Sequence, residues 1–417
     1  MLTTHDFTND VRGEIAAFRR EFNLAAATDL LYTKPDGSGD GERVGFMDVV
    51  IEGGGVKGIA ALGALFALEE CGLRFRKIAG TSAGALNAAF LACAGRSAAD
   101  HRTSQLLEVL ANIDFLRFAD GGDDAQAVVR LLTLPENDSA LETFMNRAKT
   151  TVAMLRNLNE VILRLGLNPG GRLKGFLCSE FEKLNHDEEF TVGSLRRKWR
   201  RDAIMIDDEY LEQDFQVVAT NISQRRKVVF PLDLEDYVRD ANSVLVADLV
   251  RASASIPMFF SPFRLRDFST SPENIKAPLS TCFVDGFIVS NFPLSIFDVS
   301  DFARPPKCPT FGLTIEDDSP QTENQELDNL VKIGLAIFQT ASQHGDKGYI
   351  HGNPHNAARI VHISNRIHRA EKEYFVSAID FNLSDNDKIQ LFHNGVRAAL
   401  EKLATWNFHD YIKHYRR

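Results

Sequence analysis

One serine stands in a Gly-x-Ser-x-Gly setting, Gly80-Thr81-Ser82-Ala83-Gly84. Between a strand and a helix, such glycines let the chain turn sharply and hold the serine in a strained conformation with its Oγ exposed. The following helix then presents its positive end to that oxygen. The plainer reading of the same residues is a tight βα turn with an incidental serine. A second constellation lies upstream, Glu52-Gly53-Gly54-Gly55-Val56-Lys57-Gly58. Consecutive backbone N–H groups in such a run can hold an anion or an oxyanion. A phosphate-binding P-loop would need Ser or Thr after the lysine, and here Gly58 and Ile59 follow Lys57. Gly53-x-Gly55-x-x-Gly58 also satisfies a dinucleotide fingerprint, so two chemistries stand open at this loop. The serine turn only 24 residues downstream favours the oxyanion reading, because one crossover brings both loops to the same sheet edge.

A hydrolase triad in the order Ser, Asp or Glu, His has histidines available at His344, His351, His355 and His362. His351 and His355 are four apart, but Gly352 and Pro354 between them break any helix that would align them. All four are read as solvated or capping residues. No metal site and no cofactor is expected, and the five cysteines form no CxxC pair.

The elements that must carry these loops are legible. Phe46–Ile51 reads as a buried strand ending at the glycine run, and Ile59–Glu70 as a buried helix. Phe75–Ala79 is a second strand running into Gly80, and Ala85–Ala94 a second helix. Strand, Gly turn, helix, repeated, is the pattern of a parallel sheet with right-handed crossovers. Phe7, Val11, Ile15, Phe18 and Phe22 predict one amphipathic helix over residues 1–24, and the polar residues 33–44 a linker. Residues 100–200 read as mostly helical. Strands are expected at Phe215–Thr220, Lys227–Phe230, Thr281–Val284, Thr310–Ile315 and Arg359–Ile363, and helices at Val244–Ser253, Leu327–Ser342 and Asp387–Leu403. The division expected is a helix and linker over 1–45 and a hydrolase domain over 46–417, with a helical insertion near 100–200.

The 417 residues are 44% hydrophobic and 25% charged, which excludes a disordered or collagen-like chain. A net charge of −10 does not suit a general nucleic-acid binder. Thirty Phe against 7 Tyr and 2 Trp suit a large core with an apolar cleft. No signal peptide is visible, and the uncharged stretch Ile78–Gly95 holds Gly80, Ser82, Gly84 and Asn87, which fit a strand-end, turn and helix better than a membrane span. A soluble cytoplasmic protein is expected.

The glycine loop, the Ser82 turn, Ala252-Ser253-Ala254-Ser255-Ile256-Pro257, and Val284-Asp285-Gly286 with Asn291 and Pro293 together resemble the patatin-like phospholipases, in order and spacing, across roughly residues 46–295. The resemblance implies a three-layer α/β/α domain with a largely parallel central sheet. It implies a Ser–Asp dyad that hydrolyses lipid acyl esters without histidine or metal, Ser82 the nucleophile and Asp285 the base. It gives the Gly53, Gly54 and Gly55 amides as oxyanion donors, with Lys57, Gly58, Gly80, Gly84 and Gly286 supporting the motifs. Two departures stand out. Phe287 follows Asp285-Gly286 where the family usually has a small residue, and a literal Asp120-Gly121-Gly122 lies in an acidic stretch, where Asp120 reads as a solvated loop residue.

A carboxylate at its ordinary pKa of about 3.9 is a weak base at neutral pH, and desolvation raises it. Phe283, Phe287 and Phe292 are the rings available to dry Asp285, or are simply core. Met154, Leu155, Leu158, Val161, Ile162 and Leu165, with Arg147, Lys149, Arg156 and Arg164 nearby, form a basic amphipathic pattern over 137–167. Packing on the core is its ordinary use, and a lid or anionic-membrane contact the functional one. The partners expected are a phospholipid or other acyl-lipid substrate and a peripheral membrane contact, with room for a homo-oligomer and no nucleic acid.

Overall fold

Arg43–Ile51 forms the strand at the heart of the sheet, and every residue after Arg43 is buried. Such a continuously buried run, apolar but for Gly45 and the Asp48 that pairs with Arg76, belongs to a strand covered on both faces. The structure is a computed structural model, and it describes residues 2–35, 41–121, 166–185, 188–265, 281–298, 306–316, 350, 353–370, 372–378 and 380–415.

The chain opens with α1 (Thr4–Thr8), α2 (Arg12–Glu21) and α3 (Leu24–Ala27), where the apolar spacing predicts one helix. Asn9 and Asp10 interrupt it, residues that compete for backbone hydrogen bonds in turns. The apolar stripe still does its work: Phe7, Val11 and Ile15 are buried, and the Phe7 ring meets Phe392 edge-on at 5.3 Å. β1 (Leu31–Thr33) pairs antiparallel with the start of β2 (Arg43–Ile51), so the polar stretch expected as a linker joins two paired strands.

α4 (Gly58–Glu70) leads from β2 to β3 (Leu73–Thr81), and α5 (Ala83–Cys93) leaves β3. Both helices are apolar on every side and almost wholly buried. α6 (Thr103–Ala111) and a 3-10 turn at Phe115–Phe118 follow. The mostly helical reading of 100–200 is interrupted by β4 (Gly166–Asn168) before α7 (Gly171–Leu184) and α8 (Val192–Arg201). The basic amphipathic pattern with Arg147, Met154 and Ile162 falls in 122–165, outside the described residues, as does the helix expected over 327–342. β5 (Met205–Ile206) and β6 (Glu209–Tyr210) form a small hairpin, then β7 (Asp214–Asn221) and β8 (Arg226–Phe230) return to the sheet. α9 (Val246–Ser253), β9 (Met258–Phe260), β10 (Phe283–Asp285), β11 (Thr310–Glu316) and the short α10 (Pro354–Ala358) come next. The chain continues through β12 (Ile360–Ser364), the β13–β14 hairpin (Arg366–Arg369, Lys372–Phe375), α11 (Asp385–Thr405) and α12 (Phe408–Tyr415).

Six strands run in the order β10-β7-β3-β2-β11-β12, with β1 and β8 paired at the sides of β2 and β7. β7, β3, β2, β11 and β12 are parallel, and β1, β8 and β10 run against them. Along β2 the faces alternate with period two: Met47, Val49 and Ile51 pack with α4 and α5 in the main core, and Val50 packs with Phe292, Leu294 and Ile360 on the other side. The fold is a mixed, mostly parallel sheet flanked by helices, a three-layer α/β/α arrangement. The strand expected at Thr281–Val284 is β10, Phe283–Asp285, which contains Asp285 as its last residue and runs antiparallel to β7.

Candidate active site

Parallel strands end where their crossover helices begin, so β2 and β3 deliver the glycine loop and the Ser82 turn side by side. Ser82 has φ 54° and ψ −118°, a strained backbone for a residue with a Cβ. Two close approaches force the flanking glycines: a Cβ on Gly84 would stand 2.2 Å from the Ile51 carbonyl oxygen, and one on Gly80 2.3 Å from the Gly84 carbonyl carbon. α5 therefore starts pressed against β2 and β3, with Ser82 at its N-terminus. The turn is held from behind. The Ser82 N–H donates to Ser253 Oγ at 3.0 Å, and that hydroxyl donates to the Val218 carbonyl at 2.6 Å. Thr81 Oγ1 donates to the Ser290 carbonyl.

Asp285 reaches the same point from the sheet edge. β10 runs against β7, pairing Asp285 with Ala219, while Thr81 of β3 pairs with Val218. The carboxylate thus arrives one strand over from the elbow, and Ser82 Oγ donates to Asp285 Oδ2 at 2.7 Å. The Phe287 N–H donates to Oδ1 at 3.0 Å, the Asp285 N–H donates to the Ser255 carbonyl, and Thr220 Oγ1 donates to the Asp285 carbonyl. Asp285 is fully buried. Burial pushes its carboxyl up to about 7, against the pull of the Phe287 N–H, the Ser82 hydroxyl and the Arg251 guanidinium.

The rings expected to dry it are divided. Phe283 packs on Phe230 and Tyr237, and Phe292 belongs to the core beneath the sheet. Phe287 is half-buried in the turn Gly286–Ile288 and acts on Asp285 through its amide. Its bulk leaves the Ser82–Asp285 hydrogen bond in place.

The glycine loop is clamped. Glu52 Oε2 accepts from Thr314 Oγ1 and the Ile315 N–H, and its Oε1 accepts from Asn291 Nδ2. Asn291 Nδ2 also donates to the Gly53 carbonyl, and the Gly53 N–H donates to the Asn291 carbonyl at 3.1 Å. That amide is therefore engaged, while the Gly54 and Gly55 amides have no acceptor among the described residues. A Cβ on Gly53 would lie 3.2 Å from Ser82 Cβ, so loop and elbow touch. The Val56 N–H donates to the Ala378 carbonyl, Lys57 is half-buried at the end of the turn Gly55–Lys57, and Asn87 Nδ2 ties the Gly58 carbonyl to α5. Beside the elbow an apolar groove with an empty volume of about 540 Å³, open to solvent, runs between Gly55, Ala83, Leu86, Ile113, Phe115 and Phe381.

Asp120 lies elsewhere and is not simply solvated. Its Oδ1 accepts from the Gly170 N–H and its Oδ2 from the Arg172 N–H, so it fastens the start of α7. His344 and His351 lie outside the described residues. His362 of β12 pairs with Glu316 of β11, and His355 sits just before β12. β12 and β10 are the two ends of the six-strand order, five spacings of about 4.8 Å apart. Arg251 and Thr220 carry no motif signal, and Ser253 stands out only as one residue of the Ala252–Pro257 segment that bears the resemblance. A compositional signal for Arg251 was available: a guanidinium in the helix Val246–Ser253, where apart from Asp248 and the terminal Ser253 the residues are apolar.

Residues 49–298 match the profile of the patatin-like phospholipases. The chain belongs to the patatin-like phospholipase family. Membership of that family supports hydrolysis of lipids. Over 363 residues this patatin-like chain is 26% identical to the uncharacterized protein YqhO of Bacillus subtilis (strain 168), covering 87% of the chain and the whole of that protein. Among solved structures, VipD from Legionella pneumophila is similar at 15% identity with a TM-score of 0.43, over 91% of this chain and 71% of that one. ExoU, in its complex with SpcU from Pseudomonas aeruginosa, is similar at 18% identity with a TM-score of 0.36, over 88% of this chain and 52% of that one.

Proposed function

We propose that the protein is a serine acyl hydrolase that cleaves fatty acyl esters of phospholipids through a Ser82–Asp285 dyad. The observation that carries this reading is the 2.7 Å hydrogen bond from Ser82 Oγ to Asp285 Oδ2, made at a strained strand-to-helix turn inside a patatin-like domain. Ser82 Oγ attacks the ester carbonyl while its proton passes to Asp285, and the Gly54 and Gly55 amides receive the oxyanion. Collapse of the tetrahedral adduct breaks the ester bond, and the leaving alcohol takes the proton from Asp285. Water then attacks the acyl-enzyme, Asp285 accepts its proton and returns it to Ser82, and the fatty acid departs. The acyl chain lies in the groove beside Leu86 and Phe381, whose walls are apolar as a hydrocarbon requires.

The test is chemical. Wild-type protein treated with a fluorophosphonate gains one adduct by intact mass, and Ser82→Ala gains none, losing ester hydrolysis at an unchanged melting temperature. Hydrolysis by the alanine variant at a rate close to wild type would overturn the assignment.

A further inference from the structure

Behind the carboxylate of the dyad lies a buried cation. Arg251, the sixth residue of α9, is 3% exposed, and the enclosure of a guanidinium is costly unless every donor is used well. Here Nη2 donates to the Pro169 and Ser261 carbonyls at 2.9 and 3.0 Å, and Nε donates to the Gly170 carbonyl at 3.2 Å. Nη1 donates to Ser255 Oγ, which in turn donates to the Arg251 carbonyl at 2.7 Å. The plane lies over the Phe260 ring, 4.7 Å from its centroid. These are neutral acceptors. Ser255 is also the residue whose carbonyl accepts the Asp285 N–H at 2.9 Å, so the guanidinium and the carboxylate hang on one residue.

We propose that Arg251 is a positioning residue for the dyad: it joins the 169–170, 255 and 261 segments into one support under Asp285 and sets a positive charge behind its carboxylate. The proposal rests on the dyad reading above. The charged groups that act on Arg251 are Asp120, Asp248 and Asp285, and burial pulls the guanidinium down to about 10 against them. Asp248 already has Lys174 as a partner at 2.6 Å, and Asp120 is spent on the start of α7. The Asp285 carboxylate faces the Ser82 hydroxyl, the Phe287 N–H and this guanidinium. An opposite charge nearby favours the ionised acid, so Arg251 lowers the pH at which Asp285 becomes a base and offsets part of its burial. It touches neither Ser82 nor the groove.

The experiment compares the pH dependence of kcat/KM for p-nitrophenyl butyrate, and of the rate of fluorophosphonate labelling, in wild type, Arg251→Met and Arg251→Lys, each checked by thermal melting. In the Met variant the acidic limb should move up by about one pH unit or more, giving a loss of roughly tenfold at pH 6 that shrinks above pH 8. The Lys variant keeps the charge but cannot reach all the acceptors, so it should lose rate at every pH with its limb near the wild-type position. A folded Met variant whose loss is the same at all pH values would make Arg251 a structural strut and overturn the proposal. If the Met variant does not fold, the Lys variant decides: a limb displaced upward although the cation is retained overturns it too. Ser82-dependent activity in the wild type separates these outcomes from failure of the dyad reading, which would instead appear as hydrolysis that survives Ser82→Ala.

Discussion

Asp285 is the residue on which rate and stability pull in opposite directions. With its carboxyl raised to about 7 by burial, the ester hydrolysis rate should climb as pH passes through that value, because only the ionised form accepts the serine proton. Asp285→Asn cannot take the proton and should lose at least about a hundredfold in kcat, the usual worth of a placed general base. The sign for stability is the reverse. A carboxyl whose folded pKa lies above its unfolded value binds protons more readily when folded, so stability falls as pH rises between the two and stays low above the folded one. Asp285→Asn should therefore melt above the wild type at pH 8, and the gap should narrow at pH 5. A gap independent of pH would mean that the buried carboxyl does not titrate as described. Asp120→Asn is the control. It loses one of two charge-assisted bonds at the start of α7, and should melt roughly 1–3 °C lower with its specific activity intact.

At the scale of elements, what the residues disclosed depended on whether the deciding interaction was local. β2, α4, β3 and α5 were readable because apolar runs, glycines and helix formers all agree within one stretch of chain. The elbow was readable for the same reason. The direction of β10 was not, because three residues carry no sign of which way they pair, and that direction is fixed by the partner Phe283↔Asn221. The first helix broke at Asn9-Asp10 although its apolar spacing runs through, since spacing reports the buried face and not the continuity of the backbone. The engagement of the Gly53 amide was equally hidden, because its acceptor Asn291 lies 238 residues away. The proposed site residues Ser82 and Asp285 came from motif and resemblance, while the contacts made by Arg251, Ser253 and Thr220 needed coordinates. The groove has a test at this scale. Phe381 stands 6.2 Å from Phe115 and 5.5 Å from Phe259, centroid to centroid, and forms one wall. Phe381→Ala should raise KM several-fold for aryl esters of medium-length acids while leaving acetyl ester hydrolysis near wild type. An equal change for both esters would remove the acyl chain from that groove.

At the scale of the whole molecule, the residues that match the family end at 298, yet the sheet does not. β2 has β3 on one side and β11 on the other, and β11 in turn holds β12. The glycine loop also depends on later residues, through Thr314, Ile315 and Ala378. A chain cut to residues 1–300 keeps every motif of the proposed dyad but leaves Asp48–Ile51 of β2 without their β11 partner, the condition that invites aggregation. It should collect in inclusion bodies, and a soluble, fluorophosphonate-reactive fragment of that length would contradict this account. The same arrangement has a meaning in time. During synthesis, Arg43–Ile51 leaves the ribosome long before Thr310–Glu316, and at about 5–20 residues per second the wait is on the order of ten to fifty seconds. For that interval the Asp48–Ile51 half of the central strand has β3 alone beside it, β1 covering only Arg43–Gly45, so a nascent chain of this protein needs a holding chaperone more than its finished form would suggest.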